Sequence, residues 1–113
     1  MLKMGDTIGE QDLDQISGLL RLLADRTRLN ILLALADGER NVTSLCEQLG
    51  LPQPTVSHHL GLLRINNVIA NRRKGKQVFY TFNATEGSND GAALEIGVEK
   101  FAVRISKKPD AVN

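Results

Sequence analysis

At 113 residues, with 42% hydrophobic and 24% charged side chains, the chain has the size and composition of one globular domain. A formal net charge of +1 points to no strongly charged partner, and no apolar run approaches the roughly 18 residues that a membrane span needs. The beginning of the chain also lacks the apolar core of a signal peptide, so we expect a cytoplasmic protein. The single cysteine excludes an intrachain disulfide and fits a reducing compartment.

The first part of the chain predicts a short arm followed by two helices. Residues 1–9 show no periodicity, and we expect them to form a flexible arm. Asp25 is suited to cap a second helix, which is apolar on most sides and should end at Asp37 and Gly38. The first helix is predicted over residues 10–24 because these apolar side chains recur at helical spacing: Leu13, Ile16, Leu19, Leu20 and Leu23.

Two further helices, separated by a tight turn, are predicted next. The third covers Val42–Leu49 and should end at Gly50, the residue type best able to turn the chain sharply. Pro52 and Pro54 suit the first turn of a new helix, where N–H groups have no intrahelical partner. That helix should run over Gln53–Ile65, with an apolar stripe of Val56, Leu60 and Leu63.

A basic hairpin is predicted after this pair of helices. Strands at residues 69–73 and 77–83 flank a tight turn at residues 74–76, with Gly75 at its tip. The order of two helices, a turn and a hairpin is that of a winged helix-turn-helix, which is mainly α with a two-stranded wing. Five basic residues and no acidic one lie between Gln48 and Thr85, namely Arg64, Arg72, Arg73, Lys74 and Lys76.

This segregation of charge indicates one positive face on a nearly neutral protein, as expected for contacts with a phosphate backbone. The alternative is a solvated hairpin tip without a partner. Base edges would be read from the beginning of the fourth helix, because that part of a recognition helix enters the major groove. The candidates are Gln53, Thr55, Ser57 and His58, which could otherwise be ordinary polar residues on a solvated helix. His59 borders the apolar stripe, and a structural role is predicted for it.

A final helix is predicted after a polar break at residues 86–91. Leu94, Val98, Phe101 and Ile105 recur at helical spacing, and so small a domain could not bury that stripe alone. We therefore expect this helix and the first to pair with a second copy of the chain; a plain core helix is the alternative. The predicted dimer interface comprises Leu13, Ile16, Leu20, Leu94, Val98, Phe101 and Ile105.

Three stretches in this order closely resemble the ArsR/SmtB family of bacterial winged-helix repressors. They are residues 23–32 (LADRTRLNIL), residues 53–60 (QPTVSHHL), and Gly75 followed by Val78 and Tyr80. The resemblance covers roughly residues 16–83. It implies a homodimer that binds operator DNA and leaves it when an effector binds, often a metal ion.

The chain departs from that family at its ligand positions. Asn41, Val42 and Thr43 align with the Cys-Val-Cys motif of arsenic-sensing relatives, so the thiolates are missing. Arg26 and Pro52 also replace a frequent Pro and a frequent capping Ser. One cysteine and two adjacent histidines do not make a metal site, so no metal or other cofactor is predicted. Cys46 lies on the inward side of its helix, where packing is the favoured role and a thiol-based redox switch is the alternative.

These observations predict a homodimeric winged helix-turn-helix repressor that binds an imperfect inverted repeat in double-stranded DNA. Its DNA-binding and dimerisation domain would span residues 10–106, followed by a tail at residues 107–113. A protein-interaction module of the same fold is the alternative. No catalytic constellation, phosphate-binding glycine loop or membrane contact is indicated. The sequence names no operator, no regulated gene and no effector.

Overall fold

The computed structural model describes residues 7–83 and 94–109. Within these ranges the helices are α1 (Glu10–Leu23), α2 (Arg26–Ala36), α3 (Val42–Leu49) and α4 (Gln53–Ile65). The strands are β1 (Arg40–Asn41), β2 (Ile69–Lys74), β3 (Gln77–Phe82), β4 (Leu94–Val98) and β5 (Phe101–Ile105). Most of the predicted arm and the end of the predicted tail lie outside the described residues, so the domain boundaries stay a prediction.

Local side-chain chemistry sets the helix ends. The Asp25 carboxylate accepts a hydrogen bond from the Arg28 N–H at 3.0 Å, and this bond is the main reason why the pKa of Asp25 is lowered. The Asn41 side chain caps α3 in the same way through the Ser44 N–H at 2.8 Å. Gly50 ends α3 in the left-handed conformation, with φ of 68°. The predicted cap at Asp25 and turn at Gly50 are confirmed.

The core forms around α2, which packs against α1, α3, α4 and β3. Ile31 and Leu32 of this helix are completely buried, in agreement with the central position predicted for it. Leu45 of α3 and the α4 stripe of Val56, Leu60 and Leu63 are also completely buried. The apolar contacts therefore fix α3 and α4 against a common support.

The wing is a three-stranded antiparallel sheet in the order β1-β3-β2. The predicted strands are confirmed as β2 and β3, and Lys74 pairs with Gln77 across a two-residue turn. Gly75 occupies that turn with φ of 64°, a conformation that favours glycine. The sequence did not indicate β1, whose two residues pair with Tyr80 and Phe79.

The prediction of a final helix was wrong, because residues 94–105 form an antiparallel hairpin of β4 and β5. The spacing of Leu94, Val98, Phe101 and Ile105 suits a helix, but β-branched residues favour strands, and apolar residues also alternate through this segment. Leu94 and Ile96 are 4% and 1% exposed and belong to the core of one chain. Leu94 is therefore withdrawn from the predicted dimer interface.

Polar contacts join the new hairpin to α1. The Gln15 Nε2 atom donates to the Glu99 Oε2 atom at 3.0 Å, and Lys100 lies 3.7 Å from the Asp12 carboxylate. Val103 of β5 packs against the core. The hairpin thus lies beside α1. No helix among residues 7–83 and 94–109 is long and apolar enough to cross a membrane.

Candidate nucleic-acid interface

The beginning of α4 exposes side chains that lie outside its buried stripe. Gln53, Ser57 and His58 are exposed and Thr55 is half-buried, whereas Val56 is completely buried. Successive residues of a helix are about 100° apart, so Gln53 and Ser57 lie within about 40° of each other. Arg64, also exposed, follows on the same line toward the end of the helix.

The same geometry does not bring all four predicted base-reading residues together. Around the helix axis, His58 lies about 100° from Ser57, and Thr55 lies about 160° from Ser57. Thr55 and His58 therefore form a second, neighbouring edge of the exposed surface. Gln53 and Ser57 lie on one side of the helix, between the buried stripe and His58.

His59 is half-buried and connects α4 to α2. Its Nδ1 atom lies 3.4 Å from Arg28 Nη1, and the Arg28 Nε atom donates to the carbonyl of Leu22 at 2.6 Å. Burial lowers the pKa of His59; Asp25 opposes this effect, whereas Arg28 and His58 add to it. These contacts agree with the structural role predicted for His59.

The basic side chains of the wing are all exposed, but they do not share one face. Side chains alternate along a strand, so Arg72 and Lys74 lie on one face of β2 and Arg73 lies on the other. Lys76 lies in the turn. The wing therefore presents cations on both faces and at its tip.

Arg72 has an intrachain partner that the sequence did not indicate. Its Nε and Nη2 atoms donate to the two carboxylate oxygens of Glu39, at 2.6 and 2.8 Å. The hydrogen bonds from Arg72 lower the pKa of Glu39, and the same pair raises the pKa of Arg72. Glu39 precedes the two-residue β1, and a strand this short leaves no periodic signal from which the contact could be predicted.

The residues considered for metal or redox chemistry have other contacts. Among residues 7–83 and 94–109, no three His, Cys, Asp or Glu side chains lie close enough to share a metal ion. Asn41 caps α3 and its Nδ2 atom donates to Gln77 Oε1 at 3.2 Å, joining the helix to the wing. Cys46 is half-buried against the core, in agreement with a packing role.

One side of α1 exposes apolar side chains at the position predicted for a dimer contact. Leu13 and Leu20 are 51% and 49% exposed, and Ile16 is half-buried between them. These three residues lie within about 60° on the helix. Ile105 is 40% exposed and Phe101 is half-buried on the hairpin.

The two helices α3 and α4, joined by the turn at Gly50 and followed by the basic hairpin, define a winged helix-turn-helix protein. The family model for the bacterial regulatory protein, arsR family, matches residues 25–69. The structure of HlyU from Vibrio cholerae N16961 aligns with a TM-score of 0.64 and 36% identity, over 69% of this chain and 85% of that chain.

Curated relatives and another solved structure agree with this match. The transcriptional repressor SdpR of Bacillus subtilis is 31% identical over 70 residues, which are 62% of this chain and 78% of SdpR. A homodimeric winged helix-turn-helix DNA-binding domain from Mycobacterium bovis, described as a possible ArsR-family transcriptional regulator, aligns with a TM-score of 0.60 and 33% identity, over 64% of this chain and 67% of that chain. The chain belongs to the ArsR family of bacterial regulatory proteins.

The match does not extend over the full length of every relative. The HTH-type transcriptional regulator KmtR of Mycobacterium tuberculosis is 40% identical over 75 residues, which are 66% of this chain and 58% of KmtR. The chain thus spans about six tenths of the length of that relative.

The half-buried position of His59 predicts a pH-dependent loss of stability. The pKa of His59 is lower in the folded than in the unfolded state, so folding favours the neutral ring. Its contribution to the free energy of unfolding is therefore complete above the ordinary histidine pKa of about 6.5 and is lost as the pH falls below that value. Urea unfolding between about pH 7.5 and 5.5 should show this decline, and His59→Gln should flatten it. His58→Gln, at the exposed neighbour, should keep it. An unchanged decline in His59→Gln would assign the effect to other groups.

Proposed function

We propose that the chain is a homodimeric transcriptional repressor that binds double-stranded DNA through α4 and the wing. The observation that carries the proposal is the exposed first half of α4 beside a basic hairpin, in a protein whose named relatives regulate transcription. No catalytic activity is proposed. A regulator of this kind would act in the cytoplasm.

In the proposed complex, α4 enters the major groove with its first two turns. Gln53 and Ser57 are exposed on one line of the helix, and a Gln side chain can pair bidentately with adenine. Thr55 and His58 would contact the adjoining bases or sugar-phosphate groups. Arg64, further along the line of Gln53, would bind a phosphate at the edge of the groove.

The wing would follow the DNA backbone or the adjoining minor groove. Arg73, Lys74 and Lys76 are exposed around its tip, where a guanidinium or ammonium group can neutralise a phosphate. Arg72 would join them once its bond to Glu39 is exchanged. These phosphate contacts would position α4 along the duplex but would not distinguish one base sequence from another.

The apolar side of α1 would provide the contact between the two copies. Leu13, Ile16 and Leu20 would form the centre of this contact. Phe101 and Ile105 of the hairpin are candidates for its rim. The place of Val98 in the interface stays a prediction from the sequence. A two-fold axis through this contact would place the two α4 helices in successive major grooves about 34 Å apart. The operator would then be an imperfect inverted repeat, and the effector, if there is one, is left open.

The basic wing predicts salt-dependent binding to duplex DNA. Four basic groups on the wing and Arg64 on α4 make five per chain and ten per dimer, and each neutralised phosphate adds about −0.9 to the slope of log K against log salt. If six engage, titrations between about 50 and 200 mM salt should give a slope of about −5. Arg73→Gln should flatten the slope and weaken binding to all sequences alike. Arg21→Gln, an exposed arginine on α1, is the control that should keep it. A slope near zero would refute the proposal.

The line formed by Gln53 and Ser57 predicts a loss of sequence preference on truncation. A good bidentate base contact is worth about 1 to 3 kcal/mol of discrimination. Gln53→Ala and Ser57→Ala should therefore weaken binding to the operator while leaving affinity for random duplex nearly unchanged. Circular dichroism should remain that of the parent, because both side chains are exposed. Equal losses on operator and random DNA would mean that these residues only position α4.

The apolar side of α1 predicts that one charge dissociates the dimer. Leu20→Asp should give monomers that lose operator affinity, because an unpaired charge in an apolar contact costs several kcal/mol. Leu33→Asp, at a leucine on α2 that is 47% exposed, is the matched control and should remain dimeric. Sedimentation should separate the two variants. If both variants remain dimeric, the two copies make contact through another surface.

A further inference from the structure

Glu39 is an acidic residue placed within the basic surface of the wing. It lies immediately before β1, and Asn41 of β1 and Arg72 of β2 both pair with Phe79 of the central strand β3. Residues two apart along an extended chain share a face, which puts Glu39 on the face that carries Arg72 and Lys74. The influence of Lys74 on the pKa of Glu39 agrees with this placement.

The bond between Glu39 and Arg72 uses the geometry that a phosphate would use. Both carboxylate oxygens accept from the guanidinium, through Nε at 2.6 Å and Nη2 at 2.8 Å. Arg binds carboxylate and phosphate groups through the same planar pair of donors. A DNA phosphate that takes this pair of donors must therefore displace Glu39.

The pair is exposed enough for such an exchange. The Arg72 side chain is 59% exposed and that of Glu39 is 27% exposed. Exposed ion pairs contribute little to folding stability, so loss of the carboxylate should leave the wing folded. While the pair persists, the charge of Arg72 is cancelled locally and the negative charge of Glu39 faces the approaching backbone.

We propose that Glu39 competes with the DNA backbone for Arg72 and so lowers the affinity of the wing for duplex DNA. The inference rests on the proposed function, in which the wing contacts phosphates. In the free protein the guanidinium is occupied by the carboxylate. In the parent complex the carboxylate keeps the guanidinium, and the phosphate that faces Arg72 stays unneutralised.

Glu39→Gln tests the competition directly. The neutral amide keeps nearly the same shape but no longer competes as an anion, so one more phosphate per protomer should be neutralised. The log–log salt slope of the dimer should steepen by about 2, and the advantage over the parent should shrink about tenfold between about 50 and 200 mM salt. Random and operator duplexes should gain alike, because phosphate contacts carry no sequence information.

Two further variants separate competition from a general charge effect. Glu47→Gln removes the same charge from an exposed position on α3 and should leave the salt slope unchanged. Glu39→Gln placed in an Arg72→Gln background should give no gain over Arg72→Gln alone, because the guanidinium under competition is then absent. Thermal unfolding should confirm that all variants fold.

The outcomes distinguish this inference from the proposed function. If the parent protein binds duplex DNA with a steep salt slope but Glu39→Gln binds equally or more weakly, Glu39 does not compete and the inference fails alone. If Glu39→Gln gains equally in the Arg72→Gln background, the effect is long-range repulsion and the inference also fails. If the parent shows no salt-dependent binding, the proposed function fails first.

Discussion

The complete burial of Val56, Leu60 and Leu63 in the core determines which face α4 turns to solvent. At about 100° per residue, His58 lies opposite the centre of this stripe, whereas Ser57 lies to one side of it and Gln53, in the first turn, borders it. The apolar contact therefore orients the polar side chains, although it touches none of the groups expected to bind DNA. Pro52 and Pro54 begin the helix without a side-chain cap, which leaves its first turn open to solvent.

The wing depends on a second, polar set of contacts. Asn41 caps α3 and its side chain donates to Gln77, so the beginning of α3 is joined to the first residue of β3, next to the hairpin turn. The short β1 completes the sheet on the side opposite β2 and brings Glu39 next to Arg72. Besides the contacts of β2 and β3 with the core, the two-residue β1 thus connects the hairpin to α3.

Local chemistry made much of the fold predictable from sequence. Asp25 before an apolar helix, Gly50 between two helices and Gly75 at a hairpin tip each favour a conformation through their own side chain or lack of one. The final hairpin could not be predicted in that way. Its apolar residues fit a helical stripe as well as two strands, and pairing of β4 with β5 and burial of Ile96 in the core favour the strands. The same applies to Glu39, which is distant in sequence from Arg72. At the start of α4, the position of the buried stripe predicts the exposure of His58 opposite it, whereas Gln53 borders the stripe and is exposed in the first turn.

The Arg28 side chain connects α1 to α4. One nitrogen of its guanidinium holds the carbonyl of Leu22 in the last turn of α1, and another lies against His59 of α4. One guanidinium group thus bridges the end of α1 and α4. In a dimer that pairs through α1, the Arg28 contact in each copy would help to hold the distance between the two α4 helices constant. Such a protein would tolerate changed bases within a half-site better than a changed number of base pairs between the half-sites.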